Sequence, residues 1–157
     1  METKSIERLN ELHPLIRQDA ISAYNEAVQA TPKGVHPYIV QTDRSFKESD
    51  DLYQQGRTKP GQIVSFAKGG QSIHNYKLAL DFCLQINGKF VWNENNPNWM
   101  IVVNCFKNRG FEWGGDWPGK KHDAPHLQKT LGFKWQTLLA LHKQNKFIPG
   151  ETYIDLA

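Results

Sequence analysis

The chain has 157 residues, of which 39% are apolar and 22% charged, a balance that fits a soluble globular protein with a buried core. Lysine and arginine total 19 against 16 acidic residues, an excess too slight to demand a polyanionic partner such as nucleic acid. No run is long and apolar enough to span a membrane, and the N-terminal Met1-Glu-Thr-Lys-Ser-Ile-Glu-Arg lacks the apolar stretch of a secretory signal.

The expectation is a single domain over residues 1–157, without repeats or a low-complexity tail. Cys83 and Cys105 are too few for a disulfide framework. Both sit among apolar residues and read as free buried thiols, with a bridge between them the alternative.

Ile6, Leu9 and Leu12 recur at helical spacing, which predicts a first helix over Ser5–Leu12 with Ser5 as N-cap. Pro14 interrupts it and suits the first turn of a second helix, which runs to about Ala30 with Leu15, Ala20, Tyr24, Ala27 and Val28 available for burial. Thr31-Pro-Lys-Gly ends that helix. His36–Gln41 reads as a strand. Ser45 and Glu48 form a capping box for a helix that closes near Gly56. Residues 57–72, rich in glycine, lysine and proline, read as a long loop, and loops of that length in a domain are often functional.

Leu78–Ile86 reads as a strand whose alternation puts Ala79, Asp81, Cys83 and Gln85 on one face and Leu80, Phe82, Leu84 and Ile86 on the other. Asn87-Gly88 signals a two-residue hairpin turn into Lys89–Trp92. A helix over Asn98–Asn108 stops before Gly110. Glu112–Lys121 reads as a Gly/Trp-rich loop, followed by a short strand near His126 and a helix over Lys134–Asn145. Helices followed by strands mixed with helices predict an α+β domain built on a small antiparallel sheet.

Three side chains can supply a divalent metal with two nitrogens and an oxygen: His74, Asp81 and His126. Three protein ligands leave one tetrahedral position open, the pattern of a catalytic zinc, and Asp123, three residues before His126, is a carboxylate placed to act as general base. The competing reading makes His74 an ordinary loop histidine and His126 a satisfied core one. Asp81 resists that reading, because an acid in the middle of Leu-Ala-Leu-Asp-Phe-Cys-Leu is costly to bury without a partner or a metal.

Several short segments occur in one order: Asp43-Arg-Ser-Phe, Gln55-Gly-Arg-Thr-Lys-Pro-Gly61, Ala67-Lys-Gly-Gly-Gln-Ser-Ile-His-Asn-Tyr, Ala79-Leu-Asp-Phe, Phe111-Glu-Trp-Gly-Gly-Asp-Trp117 and Asp123-Ala-Pro-His126. Over about residues 5–130 the set resembles the zinc D-Ala-D-Ala carboxypeptidase/dipeptidase superfamily, and most closely its L-alanyl-D-glutamate endopeptidase branch of endolysins and wall hydrolases. The resemblance implies the hedgehog/D-Ala-D-Ala peptidase-like fold. It implies zinc on His74, Asp81 and His126, with Asp123 as catalytic base. It also implies that Arg44 steadies the carbonyl oxygen, Arg57 holds a substrate carboxylate, and Ser72 lies beside the substrate backbone. Lys77 departs from the pattern where relatives carry glycine, so a positive φ there costs around 1 kcal/mol. Leu127 stands in place of a common phenylalanine.

Other residues keep two readings. Trp113 and Trp117 either line the cleft and stack on sugar or peptide, or pack in core and rim. Glu112 and Asp116 orient their loop or add acids to the site. His122 is a solvated neighbour of the base. Tyr76 donates to substrate or shields the site. Lys59, Lys68, Lys120 and Lys121 attract an acidic polymer or are plain solvated surface. The resemblance implies a monomeric enzyme acting on bacterial peptidoglycan, with no nucleic acid and no stable membrane insertion, made in the cytoplasm and reaching the wall by phage-type release. The alternatives are a D-Ala-D-Ala carboxypeptidase or dipeptidase of the same fold, or a zinc-containing module that binds wall without cutting it.

Overall fold

The computed structural model describes residues 2–157 and is organised around one long strand, β2 (Ala79–Ile86), which pairs antiparallel on both edges. Strand β1 (Val35–Gln41) lies along one edge. The other edge is shared by β3 (Lys89–Val91) at the C-terminal half of β2 and β5 (His126–Gln128) at its N-terminal half. A two-residue strand, β4 (Glu112–Trp113), extends the sheet beyond β5. Asn87 and Gly88 both have positive φ, 51° and 80°, which is the twist a two-residue turn needs to join β2 to β3.

Among the described residues five α-helices flank the sheet: α1 (Thr3–Leu9), α2 (Pro14–Ala30), α3 (Phe46–Gln54), α4 (Pro97–Lys107) and α5 (Trp135–Lys143). The α+β class with a small antiparallel sheet is therefore as the sequence predicts. Leu80, Phe82 and Leu84 on one face of β2 join Ile16, Ala20, Tyr24 and Ala27 of α2 and Trp99, Val102 and Phe106 of α4 in one hydrophobic cluster. Phe82 and Trp99 meet with ring centroids 4.5 Å apart. Each Leu, Ile, Val or Phe among them contributes about 1.5–3 kcal/mol on burial.

Several local expectations change. Ser5 is not the cap of α1; the Glu2 carboxylate accepts the Lys4 and Ser5 N–H groups instead. Ser5 is buried, and its hydroxyl accepts the Ile39 N–H at 2.9 Å, tying α1 to β1. Leu15 is 57% exposed, while Ile16 and Ala23 fill the buried face of α2. The cap of α2 is His13, whose Nδ1 accepts the Leu15 N–H while its Nε2–H donates to Ile154 O at 2.7 Å. Burial pushes the His13 pKa down.

The segment 112–121 is not a plain loop. It holds β4 and two short 3-10 turns, Gly114–Asp116 and Gly119–Lys121. Beyond α5 the chain returns so that Phe147 bridges Ile154, and Ile154 is buried. Cys83 and Cys105 are both free. Among the described residues no helix is long and apolar enough to cross a membrane.

Candidate metal centre and cleft

His74 sits in a single 3-10 turn, Ile73–Tyr76, between the long loop and β2. Ser72 caps the turn, its Oγ accepting the His74 N–H at 3.2 Å. Asn75 anchors the turn from both ends. Its Oδ1 accepts the N–H groups of Gly70 and Ser72, and its Nδ2 donates to Arg44 O and Ser49 Oγ. The turn ends at Lys77, in the left-handed region at φ 61°. This is the conformation for which glycine is better suited, so the departure at Lys77 carries the expected strain.

Two strand positions complete the site. Asp81 on β2 lies directly opposite His126 on β5, and directly opposed residues share a sheet face. A bulge in β1 after Ile39 shifts the register so that Gln41 comes opposite Asp81. The Asp81 Oδ1 is 3.3 Å from His74 Nε2 and 3.4 Å from His126 Nδ1. Both rings are oriented from behind. His74 Nδ1 meets Thr42 O at 3.0 Å, and His126 Nε2 meets Gln128 Oε1 at 2.8 Å. Both partners are acceptors, so those two nitrogens carry the protons. The lone pairs of His74 Nε2 and His126 Nδ1 are left facing a carboxylate oxygen.

That arrangement fits a cation. His74 Nε2 and Asp81 Oδ1 are buried without a hydrogen-bond partner, a costly state for polar atoms unless a ligand completes it. Tetrahedral zinc with bonds of about 2.0–2.1 Å holds its ligand atoms about 3.3 Å apart, the spacing found from Asp81 Oδ1 to each histidine nitrogen, and all three atoms lie within 4.8 Å of one another. The outward hydrogen bonds to Thr42 and Gln128 are the support that metal-binding histidines need.

Electrostatics agree. Burial alone would raise the Asp81 pKa, but His74 and His126 hold the carboxyl far below the usual carboxylate range. Burial likewise opposes charge on His126, yet the Asp81 contact raises its pKa. Metal binding needs the Nδ1 lone pair, so any proton that Asp81 draws onto Nδ1 leaves when a metal enters.

Arg44, Ser72, His74, Asp81, Trp117, Asp123 and His126 all line one cleft of about 1100 Å³. Arg44 donates through Nη2 to Asp81 Oδ2 at 3.3 Å and through Nε and Nη2 to Gln41 Oε1. Asp123 is held by its backbone, with its N–H on Gly114 O at 2.9 Å and its carbonyl on the His126 N–H at 3.1 Å. Partial withdrawal from water and the nearby Asp81 charge push its pKa up, which suits a base.

Arg57 and Trp113 are not brought into this cleft. The Arg57 guanidinium lies 3.8 Å over the Tyr53 ring and donates to Tyr53 O and Ser65 O, bracing the 57–66 loop. Trp113 is buried, with Nε1–H on Ala124 O at 2.7 Å, and fixes the segment between Asp123 and His126 from beneath. Tyr76 is buried and donates to Gly70 O, with burial pushing its pKa up to about 12. His122 pairs with Glu94, and Glu112 accepts from both Trp117 Nε1 and Gln128 Nε2. Lys120 and Lys121 line the cleft.

Three supports escape the sequence reading. Gln128 could have been found, since a residue two along a strand from His126 shares its face. Asn75 carries only the signal of an amide inside the turn. Gly114 has no sequence signal beyond the Gly-Gly pair, but a Cβ there would lie 2.4 Å from Asp123 O and 3.1 Å from His126 Cβ.

A family model described as D-alanyl-D-alanine carboxypeptidase matches residues 66–129. The peptidoglycan L-alanyl-D-glutamate endopeptidase CwlK of Bacillus subtilis (strain 168) is 48% identical over 127 residues, which cover 76% of this chain and 74% of that protein. The L-alanyl-D-glutamate peptidase of Listeria phage A118 is 37% identical over 82 residues, 49% of this chain and 29% of the phage protein. Among solved structures, the Serratia marcescens L-Ala D-Glu endopeptidase ChiX superposes with a TM-score of 0.61 at 20% identity, over 83% of this chain and 90% of that one. That last similarity concerns the fold alone.

Proposed function

Because the chain belongs to the L-alanyl-D-glutamate endopeptidase branch of the D-alanyl-D-alanine carboxypeptidase family, we propose that it hydrolyses the L-Ala–D-Glu amide of peptidoglycan stem peptides, as one zinc-dependent domain over residues 1–157. The observation that carries the zinc requirement is the convergence of His74 Nε2, Asp81 Oδ1 and His126 Nδ1, two of them buried and without any partner. A zinc ion held by these three atoms would supply Lewis-acid chemistry at the scissile carbonyl.

The chain's own groups do the rest. Asp123 takes a proton from the attacking water and returns it to the departing amine of D-glutamate. Its raised pKa lets it hold that proton between the two steps. Arg44 presents its guanidinium to the carbonyl oxygen as negative charge develops, a contact that strengthens only in the transition state. Its bonds to Gln41 and Asp81 fix its position beforehand. Ser72, at the cleft edge, and Trp117, whose ring lies 5.2 Å from that of His126, are the remaining substrate-facing groups. The partner is bacterial peptidoglycan and the acting species is a monomer that needs no nucleic acid. It works at the cell wall after release from the cytoplasm.

The test is digestion of purified peptidoglycan by zinc-loaded protein with and without chelator, reading new amino termini by mass spectrometry. Chelator-sensitive appearance of D-glutamate termini is expected. Loss of terminal D-alanine in its place would assign the carboxypeptidase reaction, and binding without cleavage would make the protein a wall-binding module.

A further inference from the structure

A second hollow, of about 200 Å³, is lined by Arg8, Tyr38, Val40, Cys83, Phe90 and Trp92. Phe90 and Trp92 are 53% and 52% exposed, large apolar surface that folding alone does not call for. Tyr38 and Phe90 have ring centroids 4.7 Å apart, and the Arg8 guanidinium sits 5.5 Å over the Tyr38 ring while donating to Tyr38 Oη at 3.1 Å. Arg8 also donates to Ile39 O at 2.8 Å. The result is a braced aromatic floor with a cation at its edge.

This floor lies on the same face of the sheet as Asp81, further along β2 from the cleft. Asp81 and Cys83 lie two apart on β2 and so point to the same face, with their Cα atoms about 6.6–6.8 Å apart. Tyr38 is paired opposite Cys83 and Phe90 opposite Gln85, so both share that face. A second link closes the other side: His122, on the cleft wall, bonds Glu94 at 2.9 Å, and Glu94 is two residues past Trp92.

Resting on the L-alanyl-D-glutamate reading above, the substrate's own chemistry states what lies one step from the cleaved bond. The amino group of that L-alanine is joined through a lactyl ether to an N-acetylated muramic sugar. One residue and the lactyl group span about 7 Å at roughly 3.3–3.6 Å per residue. This is about one two-residue step along β2, from Asp81 to Cys83, which reaches the near end of the floor at Tyr38; Phe90, opposite Gln85, lies one such step further. A pyranose ring presents C–H groups on its face, which stack on aromatic rings, and hydroxyl and acetamido groups on its rim, which suit Arg8. We propose that Tyr38, Phe90 and Trp92, with Arg8, form a subsite for an N-acetylated amino sugar of the glycan strand. Through it the protein prefers glycan-linked stem peptides to free ones.

The test compares the full-length zinc-loaded protein with its Phe90→Ala/Trp92→Ala variant, on a disaccharide-linked stem peptide and on the same peptide without sugar. For the sugar-bearing substrate the KM should rise about tenfold at unchanged kcat, while kinetics on the bare peptide stay the same. Equal losses on both substrates, or none on either, would overturn the subsite. If the native protein cuts neither substrate, the endopeptidase reading fails. The subsite is then judged by calorimetric titration with a trimer of N-acetylglucosamine. Binding lost in the double variant supports it, and absence of variant-dependent binding overturns it. A native dimer that the same substitutions dissociate would make the patch a self-association surface and overturn it too.

Discussion

Replacing Gly114 by alanine tests whether the backbone beneath the cleft sets the chemistry. Gly114 carries no positive φ, so its need for glycine is purely steric. An added Cβ would fall 2.4 Å from Asp123 O, 3.1 Å from Asp123 Cβ and 3.1 Å from His126 Cβ. Ordinary contact requires about 3.4 Å or more, so the strand entry bearing Asp123 must retreat by about 1 Å. That retreat also strains the Asp123 N–H bond to Gly114 O. Overpacking of this kind costs about 1–3 kcal/mol of stability, and a misplacement of about 1 Å at a reacting group costs on the order of 100-fold in rate.

The assay is kcat/KM on a purified stem-peptide substrate, with urea unfolding of the same sample to show that it is folded. Gly119→Ala is the control. It lies in the same segment with φ +61° and nothing within 4 Å, so it brings backbone strain without the clash. A folded Gly114→Ala variant with native kcat/KM would refute the claim that this contact positions Asp123 and His126.

Further outcomes follow from the same geometry. Gln128→Leu removes the acceptor for His126 Nε2–H and should lower zinc affinity about 10–100-fold, measured by competition with a chromogenic chelator. Lys77→Ala keeps the left-handed backbone but loses the Nζ bond to Thr152 and the contact with the Tyr153 ring, whereas Lys77→Gly relieves the strain. The glycine variant should therefore be about 1 kcal/mol more stable than the alanine variant in urea melts, and equal stabilities would contradict the strain.

His13 is pushed below its ordinary pKa of about 6.5 by burial, so between the two values the unfolded chain binds more protons than the folded one. Its contribution is fully present above about pH 6.5 and declines as pH falls below that. The midpoint shift between pH 7.5 and 5.5 should be smaller in His13→Asn, which keeps a capping side chain.

Much of the site was readable because local rules fixed it. Pro14 marked the start of α2, the Ser45–Glu48 capping box the start of α3, and Asn87-Gly88 the hairpin. Two-residue alternation put Asp81 on the face opposite the core. The ordered motifs then singled out His74, Asp81, His126 and Asp123. What escaped depends on contacts between distant segments. Nothing local says that Glu2 rather than Ser5 caps α1, since the Ser5 hydroxyl is claimed by Ile39 across the fold. The exposed setting of Arg57 and the buried one of Trp113 follow from where their loops pack, which periodicity cannot report. Ile154 is buried, and its carbonyl accepts the Nε2–H of His13, a residue far away in the chain.

The most direct test of the proposed division of labour is Asp123→Asn, assayed in one preparation for bound zinc and for cleavage of peptidoglycan. The three residues proposed to hold zinc are untouched, so about one zinc per chain should remain. The rate should fall by about 100- to 10,000-fold, the usual worth of a general base. Near-native cleavage with zinc retained would contradict the account, because the proton would then have to travel by another group.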